Sequence, residues 1–368
     1  MHFKSNADKL SQAVAMAARA LTGKAPRPVY EGIFIETTDT GVRFTCTNGT
    51  MTVRASLEAM VEEGGTALLP GKVFYDLVRH SVGEVDVQAN MADMSARVQS
   101  FGSDTNLVCL PADEFPEVED VAGGSTVSLK QADFARAISR VNFALGSDES
   151  RRILTGCLIE AMPDEVRFVC LDGYRFAMKS LRGQQAQVTD KVSAIAPGQA
   201  FVEISRMAQD TEDPVEIIFN RTHLQVNYPF ASVYCPLIPG EYINYRQILP
   251  QVSSTTCKIA RDKLFEAVDR TAVIARLGDN LIRMDVADDR MTVRAAAAQG
   301  KSIETVDVIL EGQPLSIAFS CTYLQDIVKN LDADEITMGF QTNVSPCLFT
   351  PAQGDDFVFL LLPVRTVS

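Results

Sequence analysis

One pattern occurs three times along this chain, in the same order each time. An amphipathic helical stretch runs from Ala7 to Leu21, with Leu10, Val14 and the Ala17/Ala18 pair on one face. It returns over Gln131–Leu145 (Phe134, Ile138, Val141) and over Arg261–Ile274 (Leu264, Val268, Ala272). Leu10 and Phe134 are 124 residues apart, Phe134 and Leu264 130. After each helix come two alternating, strand-like runs. Ile33–Glu36 with Val42–Thr47 is matched by Cys157–Glu160 with Val166–Leu171, and by Leu281–Met284 with Arg290–Arg294.

A short strand then leads into a second helix, at Leu68–Val78, Ile195–Ile204 and Ile317–Val328. Two of these turn on Pro-Gly, at Pro70-Gly71 and Pro197-Gly198, 127 residues apart. Each repeat closes on an aliphatic–proline pair: Leu110-Pro111, Ile238-Pro239, Leu362-Pro363. A recurrence of about 120 residues with this punctuation indicates a triplicated α+β unit. The expected domains are 1–122, 126–250 and 251–368, with linkers in the acid- and Gly-rich Glu117–Ser125 and the polar Gln251–Thr256.

Little in the sequence suggests catalysis. The three histidines, His2, His80 and His223, lie in no H-E-x-x-H and beside no nucleophile. Gly65–Lys72 is one residue too long for a phosphate loop, and Val73 stands where a magnesium-binding hydroxyl belongs. Acidic pairs at Asp288-Asp289, Asp355-Asp356 and within Asp332–Glu335 read as solvated loop charges. The eight cysteines form no C-x-x-C, so buried reduced thiols are expected, with no metal and no cofactor. A hydrolase or transferase on a triplicated scaffold would show a polar cluster in one repeat only, and none stands out. Met1–Leu10 lacks an apolar core, and the longest apolar run, Phe357–Val364, is short for a bilayer; a soluble, cytoplasmic protein without membrane contact is expected.

Three segments narrow the reading further. Leu171-Asp-Gly-Tyr-Arg-Phe-Ala177, Tyr245-Arg-Gln-Ile-Leu-Pro250 and Leu361-Leu-Pro-Val-Arg365, with Leu110–Pro116 in support, resemble the bacterial DNA polymerase III β subunit family, the sliding clamps. The resemblance spans the whole chain. It implies three repeated clamp domains, each of two helices packed on antiparallel sheets. Two such chains would join head to tail in a homodimeric ring, with helices lining the central channel. It also implies a non-enzymatic processivity factor that encircles double-stranded DNA regardless of sequence. Its partners would be the replicative polymerase catalytic subunit, an ATP-dependent clamp loader, and other polymerases, ligase and mismatch-repair proteins carrying short clamp-binding peptides. A clamp paralogue serving a specialised polymerase is the alternative.

The charge pattern bears on that implication. The chain carries 34 Lys plus Arg against 47 Asp plus Glu, net −13, which by itself disfavours a polyanion. Six helical windows (8–24, 72–79, 130–140, 199–207, 258–276, 322–331) nevertheless hold 15 basic and 8 acidic residues, so they stand at +7 and the remainder at −20. Positive helices attract phosphates without reading bases.

By position in the matching motifs, Lys24, Arg79, Arg151 and Arg152 are expected to face DNA. The family's peptide pocket falls on Leu154, Leu171, Gly173, Tyr174, Arg175, Phe176, Ile243, Ile248, Val344, Pro363, Val364 and Arg365, with Arg175 and Arg365 as rim donors over a dry floor. Tyr174 replaces a His, Gln247 an Arg and Pro346 a Ser, and Thr366–Ser368 extends the usual end. Leu107, Val273 and Ile274 are the expected dimer contacts, an apolar joint protecting two strand edges.

Overall fold

The structure, a computed structural model, describes residues 1–22, 27–183 and 185–365. The first amphipathic stretch forms α1, Ala7–Ala17, and a 3-10 turn over Ala18–Ala20. Asn6 caps it: its Oδ1 accepts from the backbone N–H of Asp8 (2.9 Å) and of Lys9 (3.3 Å). Leu10, Val14 and Ala17 are buried, as their spacing requires. The remaining helices are α2 (Gly71–Arg79), α3 (Gln131–Val141), α4 (Gly198–Ser205), α5 (Arg261–Ala275) and α6 (Cys321–Asn330). No described helix is long and apolar enough to cross a membrane.

The Pro-Gly punctuation has a steric cause. A Cβ on Gly71 would stand 2.7 Å from the Glu31 carbonyl, and one on Gly198 2.4 Å from that of Thr155. These two helices, α2 and α4, therefore begin pressed against the residue just before Gly32–Thr38 and Gly156–Met162, where only glycine fits, whereas α6 begins at Cys321.

The chain folds as two compact units: Met1–Ala132 with Glu203–Leu237, and Asp133–Val202 with the chain from Ile238 onward. The second repeat is thus divided between them. In the first unit a small antiparallel sheet runs Met60–Glu63, His2–Asn6, Glu84–Asn90, Ser95–Ser100, Ser103–Val108. A larger sheet carries the outer strands of the second repeat, Ser125–Lys130, Pro214–Phe219, His223–Tyr228 and Ala231–Pro236, directly into Thr52–Glu58, Gly41–Thr47, Gly32–Thr38 and Thr66–Pro70 of the first. The joint is the ladder Ala231↔Ala55 to Tyr234↔Thr52. α1 packs on Gly41–Thr47, Thr52–Glu58 and α2.

The second unit repeats this construction. Val192–Pro197, Gly156–Met162, Glu165–Leu171 and Arg175–Arg182 of the second repeat continue into Phe357–Leu361, Cys347–Pro351, Glu335–Phe340, Thr255–Ala260 and Ile309–Glu311 of the third. Here the joint runs Arg175↔Leu361 to Lys179↔Phe357. A smaller sheet orders Gly300–Asp307, Arg290–Ala297, Leu281–Ala287 and Leu315–Ser320. Phe134, Phe168 and Phe201 interlock with ring centroids 5.5 to 6.0 Å apart. All eight cysteines are buried.

The closing strands correct one alignment. Leu110 N–H donates to Leu68 O and Ile238 N–H to Ile195 O, but in the third repeat it is Val364, not Leu362, whose N–H reaches the matching carbonyl, of Ala318. The structural counterparts are therefore Leu110, Ile238 and Val364. A proline two residues out of step had obscured this, because Pro donates no hydrogen bond and only the ladder reveals the register.

The acidic pairs also do more than face solvent. Asp332 receives Arg140 (3.3 Å), Asp356 receives the Lys179 ammonium, and Asp355 receives Arg182 (2.7 Å). They tie α3 and the strand Arg175–Arg182 of the second repeat to loops of the third. The Arg182 guanidinium holds the Asp355 carboxyl below its ordinary value.

Candidate functional site

The second unit gathers most of the expected pocket. Leu154, Leu171 and Phe176 are buried in a cluster with Leu158, Val169, Ile195, Ile238, Tyr245 and Leu360. They form the floor as core side chains, not as open surface. Above them the rim is exposed: Tyr174 (55%), Ile243 (44%), Ile248 (42%), Val344 (53%) and Val364 (36%), with Pro363 half-buried and Arg365 exposed. Tyr174, Ile243, Ile248, Val344 and Val364 are thus large apolar side chains left in water within this one unit.

Two local devices shape this rim. The first is the turn between Glu165–Leu171 and Arg175–Arg182. Asp172 Oδ1 accepts from the N–H of Tyr174 (2.8 Å) and Arg175 (3.0 Å), and Gly173 takes a φ of +98°. Tyr174 is thereby turned outward, and its carbonyl accepts from Leu362 N–H at 2.9 Å, which fastens the terminal segment beside it. The second is the segment carrying Ile243 and Ile248. Tyr245 donates its hydroxyl to Glu160 (2.6 Å), and Arg246 (2.8 Å) and Lys191 (2.5 Å) pair with the same carboxylate. Burial alone would raise the Glu160 carboxyl, but donors from Arg246, Lys191 and Tyr245 outweigh it and hold it below its ordinary value. Tyr245 is pushed up to about 12, chiefly by burial.

Arg175 departs from its expected role as a free rim donor. It is largely buried: Nε donates to Asp172 Oδ2 (2.9 Å), Nη1 to Asp326, and its guanidinium lies 4.5 Å over the Tyr323 ring and 5.6 Å over Phe143. Tyr323 in turn stacks on Tyr174 at 5.7 Å and 27°. Phe143, Tyr323 and Asp326 are thus site-shaping residues that sequence reasoning missed. No spacing signalled them, because they come from two helical segments distant in the chain.

The expected DNA-facing cations separate. Arg79 is exposed in the last turn of α2, and Arg152 is exposed with no ion pair to a described residue. Arg151 pairs with Asp148 (3.1 Å), and its Nη1 lies 3.0 Å from where a Cβ on Gly173 would stand, so it borders the Gly173 turn. Lys24 and the Thr366–Ser368 extension lie outside the described residues.

For the dimer contacts, Leu107 is half-buried on Ser103–Val108, the outermost strand of its sheet. Val273 is exposed and Ile274 half-buried near the end of α5, which packs on Gly300–Asp307, another outermost strand. Val108 and Ile303 on these two edges are exposed as well, at 75% and 66%.

Comparison with known proteins agrees with this construction. Three domain models of one family match in succession: the N-terminal domain of the DNA polymerase III beta subunit at residues 1–119, the central domain at 128–244 and the C-terminal domain at 246–365. The beta sliding clamp of Staphylococcus aureus is 25% identical over 359 residues, covering 95% of each chain. The sliding clamp structure from Bacillus subtilis superposes with a TM-score of 0.94 over the full length of both chains at 23% identity. The Pseudomonas aeruginosa clamp, solved bound to griselimycin, has a TM-score of 0.91 at 24% identity. The chain belongs to the DNA polymerase III beta subunit family: it is a beta sliding clamp, a non-catalytic processivity factor of DNA replication.

Proposed function

We propose that this clamp tethers its polymerase through the rim of Tyr174, Ile243, Ile248, Val344, Pro363 and Val364, while a closed dimer holds duplex DNA. The three repeats, 1–122, 126–250 and 251–368, act as three domains per chain. What carries the peptide reading is the Leu362–Tyr174 hydrogen bond, which sets the terminal segment against an outward-turned tyrosine over a buried apolar floor. A short extended peptide with a hydrophobic tip suits such a surface: its tip covers the exposed aliphatic side chains, and its backbone finds a donor at Arg365. The ring would close where Ser103–Val108 of one chain meets Gly300–Asp307 of its partner, and the exposed helix cations, Arg79 and Arg152 among them, would meet phosphates.

The test is the affinity of the host's replicative polymerase catalytic subunit for the full-length clamp. Val344→Asp with Val364→Asp is expected to weaken it about a hundredfold, as for the loss of apolar contacts worth a few kcal/mol, with the dimer mass unchanged. Unchanged affinity would overturn the assignment. A second reading, a clamp that serves a specialised polymerase, is favoured by Tyr174 and its stack on Tyr323, which narrow the rim. Competition between the two polymerases for the same clamp separates the readings.

A further inference from the structure

The repeats place a second cleft at the corresponding address in the first unit. The turn between Gly41–Thr47 and Thr52–Glu58 copies the one at Asp172: Asn48 Oδ1 accepts from the N–H of Thr50 (2.9 Å) and Met51 (2.8 Å), and Gly49 has a φ of +86°. Beside it the next strand pairs in the same register, since Tyr234↔Thr52 matches Leu360↔Phe176. In chain order the linker 116–122 follows the closure at Leu110 as 243–248 follows that at Ile238, and the turn at Asn220 joins Pro214–Phe219 to His223–Tyr228 as the Val344 loop joins Glu335–Phe340 to Cys347–Pro351. These elements enclose a cleft of about 580 Å³, with Tyr30, Thr47 and Tyr234 among its lining.

The chemistry of the two addresses differs at nearly every position. Thr50 stands for Tyr174, Thr52 for Phe176, and Asn220 and His223 for the Val344 loop. Glu117, Glu119 and Asp120 replace the aliphatic Ile243 and Ile248. The wall is built, not draped. Arg54 donates to the Val118 carbonyl and to Tyr234 Oη (3.0 Å), Tyr234 donates to Asp120 (2.6 Å), and Val121 N–H donates to the buried Gln225 Oε1 (2.7 Å). Asp120 is consumed in this scaffold. Glu117 and Glu119 are exposed and form no ion pair with a described residue.

We propose that this cleft is a second peptide-docking site, and that it takes an extended segment carrying lysine or arginine side chains. Carboxylates on one wall and hydroxyl and amide groups on the floor complement such a segment, whereas the hydrophobic tip taken by the first rim would strand polar groups here. The clamp thereby holds two clients of different chemistry on one chain. The proposal rests on reading the apolar rim as a peptide site, because it is the repeat that supplies the address.

The test titrates the full-length clamp, by fluorescence anisotropy at low ionic strength, with a labelled peptide of alternating lysine and serine. The expected result is one saturable site per protomer, weakened about tenfold or more by Glu117→Gln with Glu119→Gln. Asp39→Asn with Asp210→Asn removes equal charge from exposed positions elsewhere and is expected to change affinity by less than about twofold. An equal loss in both double variants would reduce the binding to attraction by an acidic protein and overturn the proposal, as would the absence of saturation. Val344→Asp with Val364→Asp is expected to leave the basic peptide bound. Displacement of the basic peptide by a hydrophobic-tipped one would also overturn it. Failure of the polymerase to respond to the Val344/Val364 pair sinks only the earlier reading.

Discussion

Glu160 shows how much one buried carboxylate organises. It lies on a strand of the second repeat and gathers a tyrosine, an arginine and a lysine, two of them from the segment that bears Ile243 and Ile248. Its folded pKa is lowered from 4.5, so the stability it contributes is complete above that value and is lost as pH falls through the lowered one. Glu160→Ala is expected to cost about 2–3 kcal/mol at neutral pH, since it leaves Tyr245 and Arg246 without their acceptor. Denaturant unfolding of wild type and variant checks this, and the gap between them should narrow below about pH 4. A gap independent of pH would mean that the carboxylate charge is not what matters. Arg175 teaches the complementary lesson: a motif arginine that looks available on paper has its guanidinium fixed by two carboxylates and two rings.

Among the elements, the strands that cross from one repeat to the next carry the architecture. Phe357–Leu361 pairs with Arg175–Arg182 on one side and Cys347–Pro351 on the other, so the buried cluster of Leu154, Leu171 and Phe176 and the third repeat's core share a strand. Phe359, fully buried, touches Phe143 at 5.3 Å and Phe357 at 5.0 Å between ring centroids. Phe359→Ala is expected to cost about 3–5 kcal/mol from lost transfer energy and cavity formation. It should also weaken polymerase binding, because the strand's continuation carries Pro363 and Val364. Thermal unfolding together with a binding titration tests both parts. A destabilised protein with full affinity would show the rim to be independent of the strand beneath it.

For the molecule as a whole, two outermost strands with exposed Val108 and Ile303 are a hazard in a lone chain, and the proposed ring closure would cover them. Ile303→Asp is expected to convert a species of about twice 40.2 kDa into monomers by sedimentation. The same variant, once loaded, should be lost equally from circular and linear DNA, whereas wild type stays on circles and leaves after linearisation. Equal loss of wild type from both forms would refute retention by encirclement, and an intact Ile303→Asp dimer would refute the joint.

The triplication and the α+β class were legible in the residue order, because periodicity and punctuation are properties of neighbours along a chain. The charge pattern was less so: the six described α-helices themselves hold nine basic and eight acidic residues, and the excess of cations counted in the sequence windows comes from residues flanking them, such as Lys130 and Lys258 on strands. The motif around Asp172–Phe176 and the terminal Pro363–Arg365 likewise carried the family resemblance without coordinates, and the hydrogen bond from Leu362 to Tyr174 brings the two segments side by side. Only the tertiary structure decided that the second repeat is divided between two compact units, that Val364 rather than Leu362 matches Leu110, and that Arg175 is bound by Tyr323 and Asp326. Such facts depend on which strand pairs with which and on what approaches from more than a hundred residues away. Local spacing holds no record of long-range register, so those contacts exist only once the chain has closed on itself.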